Sequence, residues 1–598
     1  MAEKIRSREE IAREDTWAIE DLYASNEAWI QDLEKLKTLG AKLPEYAGKL
    51  SASAQTLLEY QKLGEEISVL LDSLANYAQR KSDEDTRNAV YQDLTGKLTK
   101  VWVQLGADTA FEVPELLSIS DEQMEKFYEE VPELNLYRRH FDSIRRKRAH
   151  VLSESEEKLL AMAGEMAGTP EEVYALFADA DLTFRPALDA NGEEHPITQG
   201  SYIAAMESPD RTLRKNAFES LYAGFGAYKN TVAAMLAGQV KQLEFFSKAR
   251  HYTSPLEASL DATEVPVSVY HELIEAVHQN MDKMHRYMRL RKKLLGVSEL
   301  HMYDLYTPLV AASEERIPFA EAKKTVAQAL GVMGERYGKI LQEGFNNRWI
   351  DVYENTGKRS GAYSAGARVH PYVLLNYTGT LDSEFTLAHE MGHAIHSYLS
   401  NKTQPIVYSD YVIFVAEVAS TCNEALLMQH LLKTTTDKKQ RAYLINHFLE
   451  QFRTTLYRQT MFAEFELKMA ELSAQGVTLT ADVLCEEYRK LNALYYGEDV
   501  VLDEQIALEW ARIPHFYYNY YVFQYATGYA AAIALSEGIL KDGEPAVERY
   551  LGFLSGGCSK SPIELLKGAG VDMTTAEPVN QALAMFSKLL DEMEVLTA

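Results

Sequence analysis

The run His389-Glu390-Met391-Gly392-His393 is the strongest constraint in this chain on what it can fold into. Residues four apart share one face of a helix, so on a helix the imidazoles of His389 and His393 converge on one metal ion with Glu390 beside them. Ala388, Met391, Gly392, Ala394 and Ile395 make the same segment apolar nearly all round, as expected of a buried core helix. A buried imidazole needs a partner, and two facing the same way point to a metal. A hydrolytic zinc site takes three protein ligands and leaves the fourth position for water, so a third ligand is required.

Glu417 is the best candidate for that ligand. It is a lone carboxylate inside an apolar run from Tyr411 to Cys422, and a buried charge without a partner is expensive, so a cation is its natural counterpart. Glu424 lies seven residues on, about two helical turns, and either accepts a hydrogen bond from a ligand histidine or faces solvent. His396 shares the face of His389 and His393, but a fourth protein ligand would close the site, so it reads as a structural or supporting group. Cys422 reads as a small buried hydrophobe.

Composition narrows the partners. The chain has 598 residues, with 88 acidic and 61 basic side chains and a net charge of -27. Such a field repels nucleic-acid phosphates and anionic membranes, and no basic patch offsets it, so neither nucleic acid nor membrane is an expected partner. The first ten residues, Met-Ala-Glu-Lys-Ile-Arg-Ser-Arg-Glu-Glu, lack the apolar core of a signal peptide, and the apolar stretch from Tyr525 to Leu535 is too short to span a bilayer. Cys422, Cys485 and Cys558 are too few for a disulfide scaffold and fit a reducing compartment, so a cytoplasmic protein is expected.

Most of the chain has helical periodicity, which predicts a mainly α-helical fold. From Glu9 to about Leu176 it is all-helical in pattern; Leu182 to Ile197 then gives a hairpin signal built on Asn191-Gly192, and a domain boundary is placed there, dividing residues 1–185 from 186–598. Helical patterns resume from Ser201 to Leu295, punctuated by Pro255, Pro266 and Gly296, and again from Leu444 onward. Tyr363 and the stretch Val369 to Tyr377 are rich in aromatic and β-branched residues between glycines, which predicts a small sheet just before the metal helix, with Thr380, Asp382 and Ser383 available to cap that helix.

Downstream, Arg512 to Gly528 packs His515 and five tyrosines into a few turns, with Tyr518, Tyr521 and Tyr525 at helical spacing. One reading is an aromatic packing stripe. Core packing alone favours Phe or Leu, because a buried tyrosine hydroxyl must find a partner, so the other reading is a set of donors for a tetrahedral oxyanion.

His389-Glu-Met-Gly-His393, followed by Phe414-Val-Ala-Glu417 and then Ser420 and Glu424, resembles the M3 family of zinc peptidases, and the chain as a whole is similar to its oligoendopeptidase F branch. The likeness runs from Trp17-Ala-Ile-Glu-Asp-Leu-Tyr23 through Gly357-Lys-Arg-Ser-Gly-Ala-Tyr363 to His515-Phe-Tyr and Tyr525-Ala-Thr-Gly528, essentially the full length. The resemblance implies one zinc ion on His389, His393 and Glu417, with Glu390 as general base and His515, Tyr518 and Tyr525 contacting the substrate carbonyl. It implies that the substrate backbone pairs with a strand at Gly361, Ala362 and Tyr363, and that residues 186–598 form the catalytic domain. The implied fold is a mainly α-helical, two-lobed zinc peptidase with a deep substrate channel and a small β-sheet beside the metal helix. The implied activity is internal cleavage of short oligopeptides. Two rivals stay open at this stage: an exopeptidase trimming dipeptides from C-termini, because angiotensin-converting-type enzymes show a similar motif, and a non-catalytic peptide-binding protein, against which the intact Glu390 argues.

Overall fold

The computed structural model describes residues 5–310 and 316–598; the first four residues of the N-terminal stretch read above lie outside it. Helices dominate, and the apolar period is what buries them. Ala54–Glu84 is capped by Ser53, whose Oγ accepts the Thr56 N–H at 3.1 Å, and its face of Leu57, Leu58, Ile67 and Leu74 is buried. It packs on Ala89–Asp108, which turns Leu94, Leu98, Val101 and Leu105 inward. Each such leucine stabilises the fold by about 1.5–3 kcal/mol through removal of apolar surface from water.

The expected hairpin is present as two short strands, Ala187–Leu188 and Glu194–His195, paired antiparallel. Asp189 Oδ1 accepts the N–H groups of Asn191 and Glu193, both at 2.9 Å, and Gly192 takes φ +82°, a conformation that favours a residue without Cβ. Helices resume at Gln199–Glu207 and run to Met281–Leu295, where Gly296 ends the last in the left-handed region. Pro255 opens one helix and Pro266 caps the next, where their missing N–H costs nothing.

The predicted small sheet forms and has one more strand than expected. Tyr372–Leu374 lies in the centre, with Tyr363–Ala365 antiparallel on one side and Ile350–Asp351 parallel on the other. Tyr363–Ala365 is therefore an edge strand, and it packs against the metal helix Leu381–Thr403. Beneath the sheet, the fully buried Lys358 and Asp351 pair at 2.7 Å, and Lys358 also donates to the carbonyls of Tyr353 and Leu375.

The chain folds as two compact units, each gathered from three stretches: Met1–Ala149, Glu315–Gln429 and Leu535–Gly570 in one, His150–Glu314, His430–Ala534 and Val571–Ala598 in the other. The linear division at 185/186 falls inside the second unit. A periodicity change marks a hairpin, whereas membership of a unit is decided by contacts between stretches hundreds of residues apart. Among the described residues no helix is long and apolar enough to cross a membrane, and none of the three cysteines is in a disulfide.

Candidate metal centre

The metal helix, Leu381–Thr403, begins where expected: Thr380 Oγ1 accepts the Ser383 N–H at 3.1 Å, and Asp382 and Glu384 in the first turn complement the helix dipole. Leu387, Ala388, Met391, Gly392, Ala394 and Ile395 are buried, so the helix lies within the core as its composition requires. His389 and His393 stand one turn apart with ring centroids 4.9 Å from each other.

Glu417 comes from the helix Ile413–Thr434. Its Oε2 lies 3.3 Å from His389 Nε2 and 3.5 Å from His393 Nε2. Donors about 2.0–2.1 Å from one zinc ion at tetrahedral angles sit about 3.3 Å apart, so each imidazole nitrogen stands from the Glu417 oxygen at the distance a shared zinc ion requires. These three residues form the one group of metal-ligating side chains found among the described residues. The chemistry of the set, two neutral nitrogens and one carboxylate, also fits a hydrolytic zinc site rather than a closed structural one.

Gly392 is what lets the two helices come this close. A Cβ there would lie 2.6 Å from Ser420 Cα and 2.7 Å from the Ala419 carbonyl oxygen. Buried Asn423 ties the helices further: its Nδ2 donates to the Ala388 carbonyl at 3.0 Å and its Oδ1 accepts from Tyr337 Oη at 2.7 Å. Ser420 Oγ donates to the Glu417 carbonyl at 2.9 Å and reaches its carboxylate at 3.3 Å.

The two readings of Glu424 are resolved: its Oε1 is 3.2 Å from His389 Nδ1, which aims Nε2 of that ring at Glu417. Burial works against ionisation of Glu417, yet hydrogen bonds from both histidines overcome it and hold the carboxyl well below the usual range. Burial raises the Glu390 carboxyl, partly opposed by the two imidazoles. Glu390 is 6% exposed and its Oε2 has no hydrogen-bond partner, an orphaned buried atom beside the cluster that suits a base awaiting a proton. His396 is a packing residue: fully buried, it stacks on Tyr411 at 3.7 Å, and burial takes its pKa down to about 3, so it stays neutral. Cys422 is buried, with its thiol pushed up to about 12 by burial, as a structural cysteine should be.

Gly361, Ala362 and Tyr363 lead into the edge strand. Gly361 has φ +82° and its carbonyl accepts from Asn376 Nδ2 at 2.7 Å. Tyr363 is fixed by its hydroxyl, which donates to Asp83 at 2.5 Å, and by the Arg80 guanidinium over its ring.

In the other unit, His515 sits in a short 3-10 turn, Pro514–Tyr517, and the helix begins only at Phe523. The helical spacing read for Tyr518, Tyr521 and Tyr525 is therefore corrected. Asn519 and Tyr520 intervene with φ +56° and +59°, two consecutive left-handed residues that a helix cannot contain. The turn nevertheless gathers the same rings: His515 has Tyr518 at 5.4 Å, Tyr525 at 6.1 Å and Tyr521 at 6.4 Å. Tyr518 is 45% exposed, whereas Phe516, Tyr517 and Tyr520 are buried, so the strip divides into packing residues and a wetter group. Tyr521, outside the expected site set, belongs to this group. Gln239 and Glu466 hold the turn from distant helices, Gln239 Nε2 donating to the Tyr517 carbonyl at 3.0 Å and to Asn519 Oδ1 at 2.7 Å, and Glu466 Oε1 accepting the Tyr520 N–H at 3.0 Å. Nothing local in the sequence announces either residue.

Comparison with known proteins gives a consistent picture. The family model described as Peptidase family M3 matches residues 204–585, and that described as Oligopeptidase F matches residues 115–184. The chain is 47% identical to Oligopeptidase PepF of Bacillus subtilis, over all of this chain and 89% of the relative. It is 40% identical to Group B oligopeptidase PepB of Streptococcus agalactiae, over 99% of this chain and 98% of that one. Among solved structures, a putative peptidase from Chlamydophila abortus matches with TM-score 0.93 at 35% identity, covering 99% of this chain and 100% of the other. Oligoendopeptidase-F from Enterococcus faecium matches with TM-score 0.74 at 38% identity, covering 96% and 99%.

Proposed function

This chain belongs to peptidase family M3, and we propose from that membership and the donor geometry that it is a zinc metalloendopeptidase hydrolysing internal bonds of short oligopeptides, with one zinc ion on His389, His393 and Glu417. The observation that carries the reading is the spacing of 3.3 and 3.5 Å from one Glu417 oxygen to the two imidazole nitrogens. When bound, the ion supplies Lewis acidity that polarises the scissile carbonyl and brings the pKa of water towards neutrality. Glu390, buried beside the ligands with a free oxygen, takes the water proton at Oε2 and passes it to the leaving amine. His515, Tyr518 and Tyr525 supply donors for the tetrahedral oxyanion, with Tyr521 as an additional candidate. The peptide backbone pairs with the edge strand entered at Gly361, Ala362 and Tyr363.

Relatives named oligopeptidases and oligoendopeptidases, matched over almost the whole chain, do not favour the dipeptide-trimming and non-catalytic readings. The family-model boundaries support dividing the chain into an N-terminal part, residues 1–185, and a catalytic part, 186–598. Three cysteines, none of them in a disulfide, support a reducing, cytoplasmic setting.

The test is an internally quenched peptide blocked at both ends. Cleavage at an internal bond, loss of cleavage with a chelator and recovery with zinc are expected, and Glu390→Gln should keep the metal while losing nearly all turnover. Chelator-insensitive cleavage, or full activity in Glu390→Gln, would overturn the assignment.

A further inference from the structure

We propose that a cavity walled by the helices Ala54–Glu84 and Ala89–Asp108 is an extended subsite for the N-terminal arm of the peptide substrate. In it Trp102 selects a bulky apolar side chain several positions before the scissile bond. The proposal rests on the peptidase reading above and adds a substrate preference to it.

The cavity measures about 830 Å3 and begins where the edge strand ends. Ser364 and Gly366 form its near wall together with Ser397 and Tyr411. Gly366 is in close contact with Ser397, where an added Cβ would come within 2.9 Å, and Ser397 lies one helical turn beyond His393. The strand Tyr363–Ala365 thus runs along the metal helix towards the cavity. A peptide joining its outer edge antiparallel, the commoner and slightly stronger pairing, has its N-terminal arm leaving past Gly366 into this space.

Helix Ala54–Glu84 gives the scale. Asn76 Nδ2 donates to the Gly366 carbonyl at 3.2 Å, marking the near end. Ser68 lies eight residues back along the helix, about 12 Å at ~1.5 Å per residue, or roughly four residues of extended chain. At that level Ser68, Leu71, Ile406 and Trp102 line both this cavity and an adjoining one of about 350 Å3. Trp102 is 62% exposed, a large apolar side chain at the junction of two cavities that the fold itself leaves uncovered.

The stretch between carries two carboxylates, with the Arg368 guanidinium near enough to Asp72 to offset part of their charge. Asp72 Oδ2 accepts the Arg368 N–H at 3.1 Å and Asp410 Oδ1 accepts the Tyr411 N–H at 2.9 Å, and the two carboxylates repel one another. Arg80, on the same wall, is engaged with Asn76 at 3.1 Å and with the Tyr363 ring.

The experiment uses doubly blocked quenched peptides sharing one scissile bond, with N-terminal arms of increasing length and a Phe walked along an otherwise small, neutral arm. The full chain, loaded with zinc, should gain about tenfold in kcat/KM when Phe reaches roughly the fourth to sixth position before the bond, the scale of one well-packed aromatic contact. Trp102→Ala should erase that gain while leaving the rate on the shortest peptide and the melting temperature unchanged. An aromatic preference that survives in Trp102→Ala, or one confined to the C-terminal arm, overturns the proposal while leaving the peptidase reading intact. Failure of the wild-type chain to cleave even the shortest peptide overturns both.

Discussion

Gly392 meets the backbone of Ser420 so closely that a single added methyl group at position 392 would lie 2.6 Å from the Ser420 Cα. That contact sets the distance between the helix bearing the histidines and the helix bearing Glu417. Gly392→Ala must push the two apart, at a cost of about 1–3 kcal/mol typical of overpacking. Because 1 Å decides whether three donors reach one ion, metal retention should suffer more than the fold. Zinc per chain after dialysis should fall well below that of wild type while the helical circular dichroism persists. Wild-type zinc content in the variant would count against the close approach as the device that builds the site.

Glu424 orients His389, its Oε1 standing 3.2 Å from Nδ1. Removing such a partner commonly costs 10–100-fold in metal affinity, because the imidazole loses its fixed orientation and some of its basicity. Glu424→Ala should show a loss of about that size in competition with a chelating dye, and Glu424→Gln, which keeps an acceptor, a smaller one. Equal affinities in all three proteins would remove Glu424 from the metal site.

Lys358 and Asp351 form a fully buried ion pair at 2.7 Å, joined by Arg8 at 2.9 Å. Burial disfavours both charges: hydrogen bonding from Arg8 and attraction to Lys358 overcome it for Asp351 and hold that carboxyl below its ordinary range, whereas for Lys358 burial outweighs the attraction of Asp351 and lowers the ammonium pKa. Lys358→Met leaves that carboxylate short of a partner and unmakes the contacts to the carbonyls of Asp351, Tyr353 and Leu375, so a loss of about 3–5 kcal/mol is expected in urea denaturation. Lys358 precedes Gly361 by three residues, so KM for peptide should rise more than kcat falls. A variant as stable as wild type would show that Arg8 alone satisfies Asp351.

The metal centre was legible because its signals are local: an i, i+4 histidine pair, a lone carboxylate in an apolar run, and Thr380 as a cap. The hairpin at Asn191-Gly192 and the stop at Gly296 were legible for the same reason, since each needs a positive φ that one residue type supplies cheaply. Ile350–Asp351 was not, being two residues long and paired in parallel with a strand more than twenty residues further on. The left-handed turn at Asn519 and Tyr520 was hidden by tyrosines whose spacing mimics a helix. What holds that turn, Gln239 and Glu466, is remote in sequence. The edge cavity at Trp102 depends on two helices meeting the segment at Ile406, and no periodicity announces it.

Glu466 offers a pH-dependent test of that turn. Its Oε1 accepts the Tyr520 N–H at 3.0 Å, its Oε2 is buried without a partner, and burial pushes the carboxyl up to about 8. The ionisable groups it faces are the phenols of Tyr270 and Tyr520, which offer no positive charge to stabilise the carboxylate. A carboxyl raised above its unfolded value near 4.5 favours the protonated folded state. Its stabilising contribution is therefore complete below about pH 4.5 and is lost progressively as pH rises through about 8, at up to ~1.4 kcal/mol per unit. Glu466→Gln keeps an acceptor for the Tyr520 N–H but carries no ionisable proton. Its stability relative to wild type should rise steadily from pH 5 to pH 8 in equilibrium denaturation, reaching a few kcal/mol. The turn stays held, so kcat should remain close to wild type at pH 6, whereas Glu466→Ala, which releases two left-handed residues costing about 1–2 kcal/mol each, should lower kcat at every pH. Parallel stability curves for wild type and Glu466→Gln would show that Glu466 is ionised in the fold and that the turn is held by other means.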